Sequence, residues 1–418
     1  MSFLPIGTRT RLNEVRYEIR GELASRAHEL EAEGRSLIKL NIGNPGAFGF
    51  RAPEHLQKAI ANHIENTDPY AHQQGLPAAR EAVAAYHAQV RGTPNASADR
   101  VYIGNGVSEL IDISLRALLN PGDEVLLPSP DYPLWSASTI LNDGRPVYYS
   151  CLPENDFLPD PEQIENLVSS RTRAIVLINP NNPTGAVYSR EVLTKIVEIA
   201  RRHGLMIMAD EIYDNIVYDD VEFVPVAPLC GEDVPCMSFG GLSKVHRACG
   251  WRVGWAVLSG ESKRVATYVR ALNLLSALRL CANVPGQFAI EAALNGADTI
   301  TPLCQPGGRL FEAREAIRKA VKQSPHLELV TPHAAMYAFP SVTGAAAIGF
   351  DDHKFALELL EEHNVLISPG SSFNVPYRNH FRLTLLPPLD KMAVVFERID
   401  ALLDVYAERN GGRAREVA

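Results

Sequence analysis

The chain lacks any long hydrophobic run. Its aliphatic stretches, such as Ala174 to Ile178, fall far short of the roughly 20 residues that a membrane-crossing helix needs. It also lacks a basic patch: 40 Lys and Arg against 49 Asp and Glu give a net charge of -9, thinly spread, so nothing offers a nucleic acid a surface to track. The six cysteines, Cys151, Cys230, Cys236, Cys249, Cys281 and Cys304, form no Cys-x-x-Cys pair and have no histidine at zinc-ligand spacing. Reduced core thiols and no bound metal are expected. Residues Met1 to Arg20 are interrupted by Arg9, Arg11 and Arg16, so the apolar centre of a signal peptide is missing and a cytoplasmic location is expected. Lysine itself is scarce, nine residues against thirty-one arginines.

What is present is a chain of 418 residues, 46% hydrophobic, long enough for one large α/β unit and a smaller one. Short apolar runs recur at 101–103, 124–127, 146–152, 174–178, 205–209, 235–239 and 253–258. They are too short for helices and read as buried strands. Helical patterns lie between many of them, at 109–119, 161–168 and 190–203, the last with Val192, Leu193, Ile196, Val197 and Ala200 on one stripe. Strand alternating with helix predicts an α/β fold with a seven-stranded, mostly parallel sheet covered by helices, placed here in a large domain over residues 51–300. Residues 1–50 and 301–418 are expected to form a small α+β domain from both chain ends. Within it, helices are expected at 310–321, 355–362 and 391–406, strands at 365–367 and 380–385, and two strands around a Thr-Pro-His turn within 328–339. Gly411, Gly412 and alternating charges mark 410–418 as a disordered tail.

Ligands of an open α/β sheet gather at the carboxyl ends of its strands, so the residues that follow each strand carry the chemistry. After 101–103, Gly104-Asn105-Gly106-Val107-Ser108 leads into a helix and offers bare N–H groups and a hydroxyl to a phosphate, although such turns are common. After 124–127, Pro128-Ser129-Pro130-Asp131-Tyr132-Pro133 is a stiff loop that projects an aromatic ring, or merely a rigid turn. After 174–178, Asn179-Pro180-Asn181-Asn182-Pro183-Thr184-Gly185 fixes side-chain amides between prolines, more than a simple turn requires. Asp210 and Tyr213 follow 205–209; a carboxylate at that point either caps a helix or neutralises a cation. Gly240-Gly241-Leu242-Ser243-Lys244 then presents a lysine in a chain that otherwise gives lysine's solvating role to arginine, a residue chosen for a nucleophilic amine. Arg252 can add a charge-assisted bond to phosphate. A phosphate nest, an aromatic plate, an amide, a carboxylate, a phenol, a lysine and an arginine together suit pyridoxal 5'-phosphate, a flat phosphorylated heterocycle that links to lysine.

With these residues in place, the sequence resembles the pyridoxal-phosphate-dependent aminotransferases of fold type I, class I/II, and especially their bacterial glutamate-pyruvate (alanine) branch. The likeness runs almost end to end, and Leu40-Asn41-Ile42-Gly43-Asn44-Pro45, the Asn-Pro-Asn-Asn-Pro-Thr-Gly stretch and Ala209-Asp210-Glu211-Ile212-Tyr213 carry it most specifically. The resemblance implies that Lys244 is the Schiff-base lysine, Asp210 the partner of the pyridinium nitrogen, Tyr213 and Asn182 the partners of the cofactor's 3-oxygen, and Tyr132 the stacked ring. Gly106, Val107, Ser108, Ser243 and Arg252 would hold the phosphate, with Tyr70 reaching it from the neighbouring subunit of a homodimer. Arg382 would bind the substrate α-carboxylate, helped by Asn182 and the backbone near Gly43. Arg16, Tyr17 and Arg20 are candidates for glutamate's distal carboxylate. One position departs from the pattern: Gly241 stands where many relatives carry a hydroxyl residue. The implied reaction is ping-pong transfer of an amino group from L-alanine to 2-oxoglutarate. Alternatives on the same fold are an aminotransferase for aromatic or branched amino acids and a carbon-sulfur lyase. A degenerate aminotransferase-like regulator would need a helix-turn-helix domain, for which the residues before Gly43 leave no room.

Overall fold

The computed structural model describes residues 7–17 and 21–416, with side chains described through Asn410. Its centre is a seven-stranded sheet of β1 (Val101–Asn105), β2 (Glu124–Ser129), β3 (Arg145–Ser150), β4 (Thr172–Ile178), β5 (Met206–Asp210), β6 (Cys236–Gly241) and β7 (Val253–Ser259). Their order across the sheet is β1-β7-β6-β5-β4-β2-β3, and β7 alone runs opposite to the other six.

Side chains alternate faces along a strand, and here both faces are apolar. In β4, Ile175 and Leu177 join one core with Leu193, Ile196 and Ala200, whereas Ala174, Val176 and Ile178 join another with Leu110, Ile111 and Trp135. The helices α1 (Val107–Leu118), α2 (Pro133–Leu141) and α3 (Arg190–His203) supply those partners. Local chemistry sets the limits of α3. The Ser189 hydroxyl accepts from Val192 N at its start, three basic residues fill its last turn, and Gly204 leaves it at φ +67°.

A third core joins the two chain ends. Leu23, Leu30 and Leu40 pack with Leu310, Ile317, Phe355, Leu359, Val395 and Leu403, and Ile38–Lys39 pairs in parallel with Val365–Leu366. Tyr213, Ile216 and Val245, from the middle of the chain, share this core, so the seam between the two parts passes beside the ends of β5 and β6.

The two strands expected around the Thr-Pro-His turn are Leu327–Glu328 and Tyr337–Ala338, and they pair with Ser341–Val342 and with β8 (Phe381–Thr384) respectively. The Pro332-His333 turn is engaged elsewhere: His333 N donates to Gly185 O at 3.0 Å, and His333 O accepts from Tyr218 N at 2.9 Å. The closing helix α4 spans Leu389–Glu416.

Candidate functional site

The carboxyl ends of the sheet strands and the seam open onto one cavity of about 680 Å³. Tyr17, Gly43, Val107, Ser108, Tyr132, Asn182, Asp210, Tyr213, Ser243, Lys244, Arg252 and Arg382 all line it. Residues that the sequence scatters over more than three hundred positions therefore meet in one place.

Asp210 is the last residue of β5 and is 3% exposed. Its Oδ2 accepts from the Trp135 indole at 3.0 Å, and Ile212 N approaches Oδ1 at 3.4 Å. Burial pushes its carboxyl up to about 6, against the pull of the indole bond and the Lys244 charge. Such a group is poised to take a cationic partner. Lys244 lies on the loop after β6; its Nζ donates to Gly43 O at 2.7 Å and lies 5.9 Å from the centre of the Tyr213 ring. The Tyr213 hydroxyl is 2.8 Å from that of Tyr337, and burial raises its pKa well above the ordinary phenol value. Tyr132, at the head of α2, is held neutral in the same way.

Gly106 enters α1 at φ +82°, a conformation that favours glycine, and a Cβ there would collide with the Arg252 guanidinium. Glycine thus leaves a cradle between the first N–H groups of α1 and Arg252, which is tied to Cys249 O at 3.0 Å and Asn105 O at 3.2 Å. Gly241 is equally constrained, because its ideal Cβ would stand 2.7 Å from Val253 O. A hydroxyl side chain there would need the backbone of β7 to shift.

Arg382 on β8 is 2% exposed. Its guanidinium donates to Asn182 Oδ1 at 3.0 Å, to Ser368 Oγ at 3.3 Å and to Asn41 O, and it lies between the rings of Tyr337 (4.5 Å) and Phe373 (4.7 Å). Its Nε is buried with no partner among the described residues. Burial draws its pKa down while the surrounding phenols oppose the shift. A fixed, desolvated planar cation of this kind suits a carboxylate.

Of the three asparagines in the Asn179–Gly185 loop, Asn182 faces the cavity and the other two hold the turn. Asn179 Oδ1 accepts from Tyr188 N at 2.9 Å, and Asn181 Oδ1 from the Thr184 hydroxyl at 2.9 Å. Arg16 is exposed and does not line the cavity, and Arg20 falls outside the described residues. Tyr70 is 78% exposed and lies outside this chain's cavity. Sequence reasoning missed Trp135 and Tyr337. Trp135 had a signal, being three residues after Tyr132 at the start of a helix, and so on the same side. Tyr337 had none, because the turn that delivers it is fixed by distant contacts.

The model of aminotransferase class I and II matches residues 35–399. The glutamate-pyruvate aminotransferase AlaA of Escherichia coli is 44% identical over 402 residues, 96% of this chain and 99% of that protein. An alanine aminotransferase of Mycobacterium tuberculosis is 44% identical over 398 residues, 95% and 92% of the two chains. Among solved structures, an Escherichia coli aminotransferase superposes with a TM-score of 0.94 at 44% identity, covering 96% of this chain and 99% of its own. The alanine aminotransferase of Pyrococcus furiosus reaches 0.89 at 34% identity, covering 95% and 100%. Together with the seven-stranded sheet and the cavity at its strand ends, these matches show that the chain belongs to the aminotransferase class I and II family.

Proposed function

We propose that the protein is a pyridoxal 5'-phosphate-dependent aminotransferase that moves the amino group of L-alanine to 2-oxoglutarate, reversibly and by a ping-pong route. The observation that carries this reading is the meeting of a buried acid, an amine and a buried arginine, Asp210, Lys244 and Arg382, in one cavity. The residues fit the cofactor. Asp210 is a buried acid suited to a protonated ring nitrogen, the Gly106 cradle and Arg252 suit a phosphate, and the unpartnered Arg382 Nε suits a substrate oxygen. Bound there, the cofactor supplies an electron sink that makes the substrate's Cα proton acidic.

The chain's own residues do the rest. Asp210 would keep the ring nitrogen protonated, Tyr132 would stack on the ring, and Tyr213 and Asn182 would hold the 3-oxygen. Arg382 fixes the substrate α-carboxylate so that the Cα–H bond stands in the geometry for proton loss. The Lys244 amine would hold the cofactor through its aldehyde and is the base placed to take the substrate's Cα proton. Among the residues considered for glutamate's distal carboxylate, Tyr17 lines the cavity and is the described candidate.

We assign residues 1–50 and 301–418 to a small domain that carries Arg382, and 51–300 to a large domain that carries the cofactor site. The exposure of Tyr70 supports a homodimer in which it serves the neighbouring cofactor. Six free thiols support a reducing, cytoplasmic setting, and among the described residues no helix is long and apolar enough to cross a membrane. A panel of L-amino donors offered with 2-oxoglutarate tests the substrate reading. Alanine is expected to give glutamate fastest among small, branched and aromatic donors; turnover with aromatic or branched donors but not alanine would refute it.

A further inference from the structure

Trp135 has no part in the reading above beyond its contact with Asp210. It lies in the first turn of α2 with 0% exposure, edge-on to Phe239 at 5.4 Å between ring centres. Filling space would not require nitrogen, yet its Nε1–H is committed to Asp210 Oδ2 at 3.0 Å. An indole N–H can only donate, so the oxygen it meets can only accept. Any proton on Asp210 is therefore confined to Oδ1, where Ile212 N stands at the long distance of 3.4 Å.

Other groups also bear on this carboxylate. Lys244 approaches from the loop after β6, Tyr132 from the head of α2, and Glu211 follows it along the chain. Lys244 is the cation among them, and its amine rests on Gly43 O. Tyr132 is held neutral by burial, and Glu211 is pushed up to about 7 by burial, so neither favours an ionised Asp210.

We propose that Trp135 is a positioning residue: by occupying Oδ2 it keeps Asp210 ionised and leaves Oδ1 as the oxygen that meets the cofactor's protonated ring nitrogen. This rests on the pyridoxal-phosphate reading of the site. Burial lifts the Asp210 carboxyl to about 6, and among the influences that oppose the lift the indole bond is the largest. Removing the donor moves the titration further up. The ionised form, which holds the cofactor, is then lost at a higher pH as the solution is acidified.

The test measures the dissociation constant of pyridoxal 5'-phosphate by equilibrium dialysis from pH 5 to 9 for wild type, Trp135→Phe and Trp135→His, together with kcat and KM for L-alanine. In Trp135→Phe the acid limb of the binding profile should move up by about one pH step, weakening binding near pH 6 by about fivefold and near pH 5 by about tenfold. The kcat should fall while KM for alanine holds, because Arg382 is untouched. Trp135→His, which restores a ring N–H, should recover part of the shift. A Trp135→Phe protein with the wild-type midpoint and kcat, whatever its melting temperature, would overturn the proposal. A second measurement removes nothing from the core: in 15N-tryptophan-labelled holoprotein, which has three indoles, the Trp135 Nε1–H resonance should move upfield in Asp210→Asn. An unmoved resonance would equally overturn it. If wild type failed to bind pyridoxal 5'-phosphate at all, the cofactor reading would fall first; normal binding with an unmoved midpoint would sink the role of Trp135 alone.

Discussion

Replacing Arg382 by lysine keeps the positive charge and removes the planar fork. In the structure that fork reaches Asn182, Ser368 and Asn41 and stands over the rings of Tyr337 and Phe373. A lysine ammonium cannot make two parallel bonds to one carboxylate, and it removes the donor that the fork gives the buried Asn182 Oδ1. Losing one of two charge-assisted bonds to the substrate costs about 1.5–3 kcal/mol. The poorer placement of the amine adds to this, so about 3 kcal/mol, or roughly 10²-fold in kcat/KM, is expected. The assay is steady-state kinetics in both directions, with alanine and 2-oxoglutarate varied separately. Both half-reactions bring an α-carboxylate to the same arginine, so both kcat/KM values should fall together. A loss below about threefold for either substrate, with the variant folded, would refute the assignment of Arg382.

The loop acid Asp131 is fully buried, accepts from Asn374 Nδ2 at 2.9 Å, and has an unpartnered Oδ2; burial lifts its carboxyl to about 7. With the folded value raised, the favourable neutral state is present below the ordinary 3.8 and lost as pH rises through about 7. Asp131→Asn should therefore raise the melting temperature at pH 8, by up to on the order of 4 kcal/mol in stability, and change it little at pH 4; equal effects at both pH values in thermal scans would contradict this. Gly106→Ala places a Cβ into the Arg252 guanidinium and strains a positive φ, so the affinity for pyridoxal 5'-phosphate should fall at least about tenfold in dialysis while the sheet stays folded; unchanged affinity would remove the cradle from the account. Mixed Tyr70→Phe and Lys244→Ala subunits should regain activity through hybrid dimers, and no recovery after verified subunit exchange would show self-contained sites.

The strands were legible because β4 and β5 are continuous apolar runs, the pattern of a sheet buried on both faces. Lys244 and Asp210 were legible because a rare amine and a carboxylate at the end of an apolar strand are conspicuous without any tertiary information. The turn after Glu328 was legible as a turn, but not its partners: His333 bonds to Gly185 and Tyr218, contacts invisible along the chain, and Tyr337 escaped for that reason. In the asparagine-rich loop the side chains of Asn179 and Asn181 satisfy their own turn and leave Asn182, the one assigned to the site, for the cavity.

The central claim is that the Lys244 site passes an amino group through the enzyme, not that it merely eliminates one. A single half-reaction decides this: the holoprotein is mixed with L-alanine in the absence of any oxo acid, and pyruvate and ammonia are counted. The account predicts about one pyruvate per Lys244 site, no ammonia, and no further product until 2-oxoglutarate is added, when glutamate appears in equal amount. Continued release of pyruvate with ammonia, or no pyruvate at all, would contradict it.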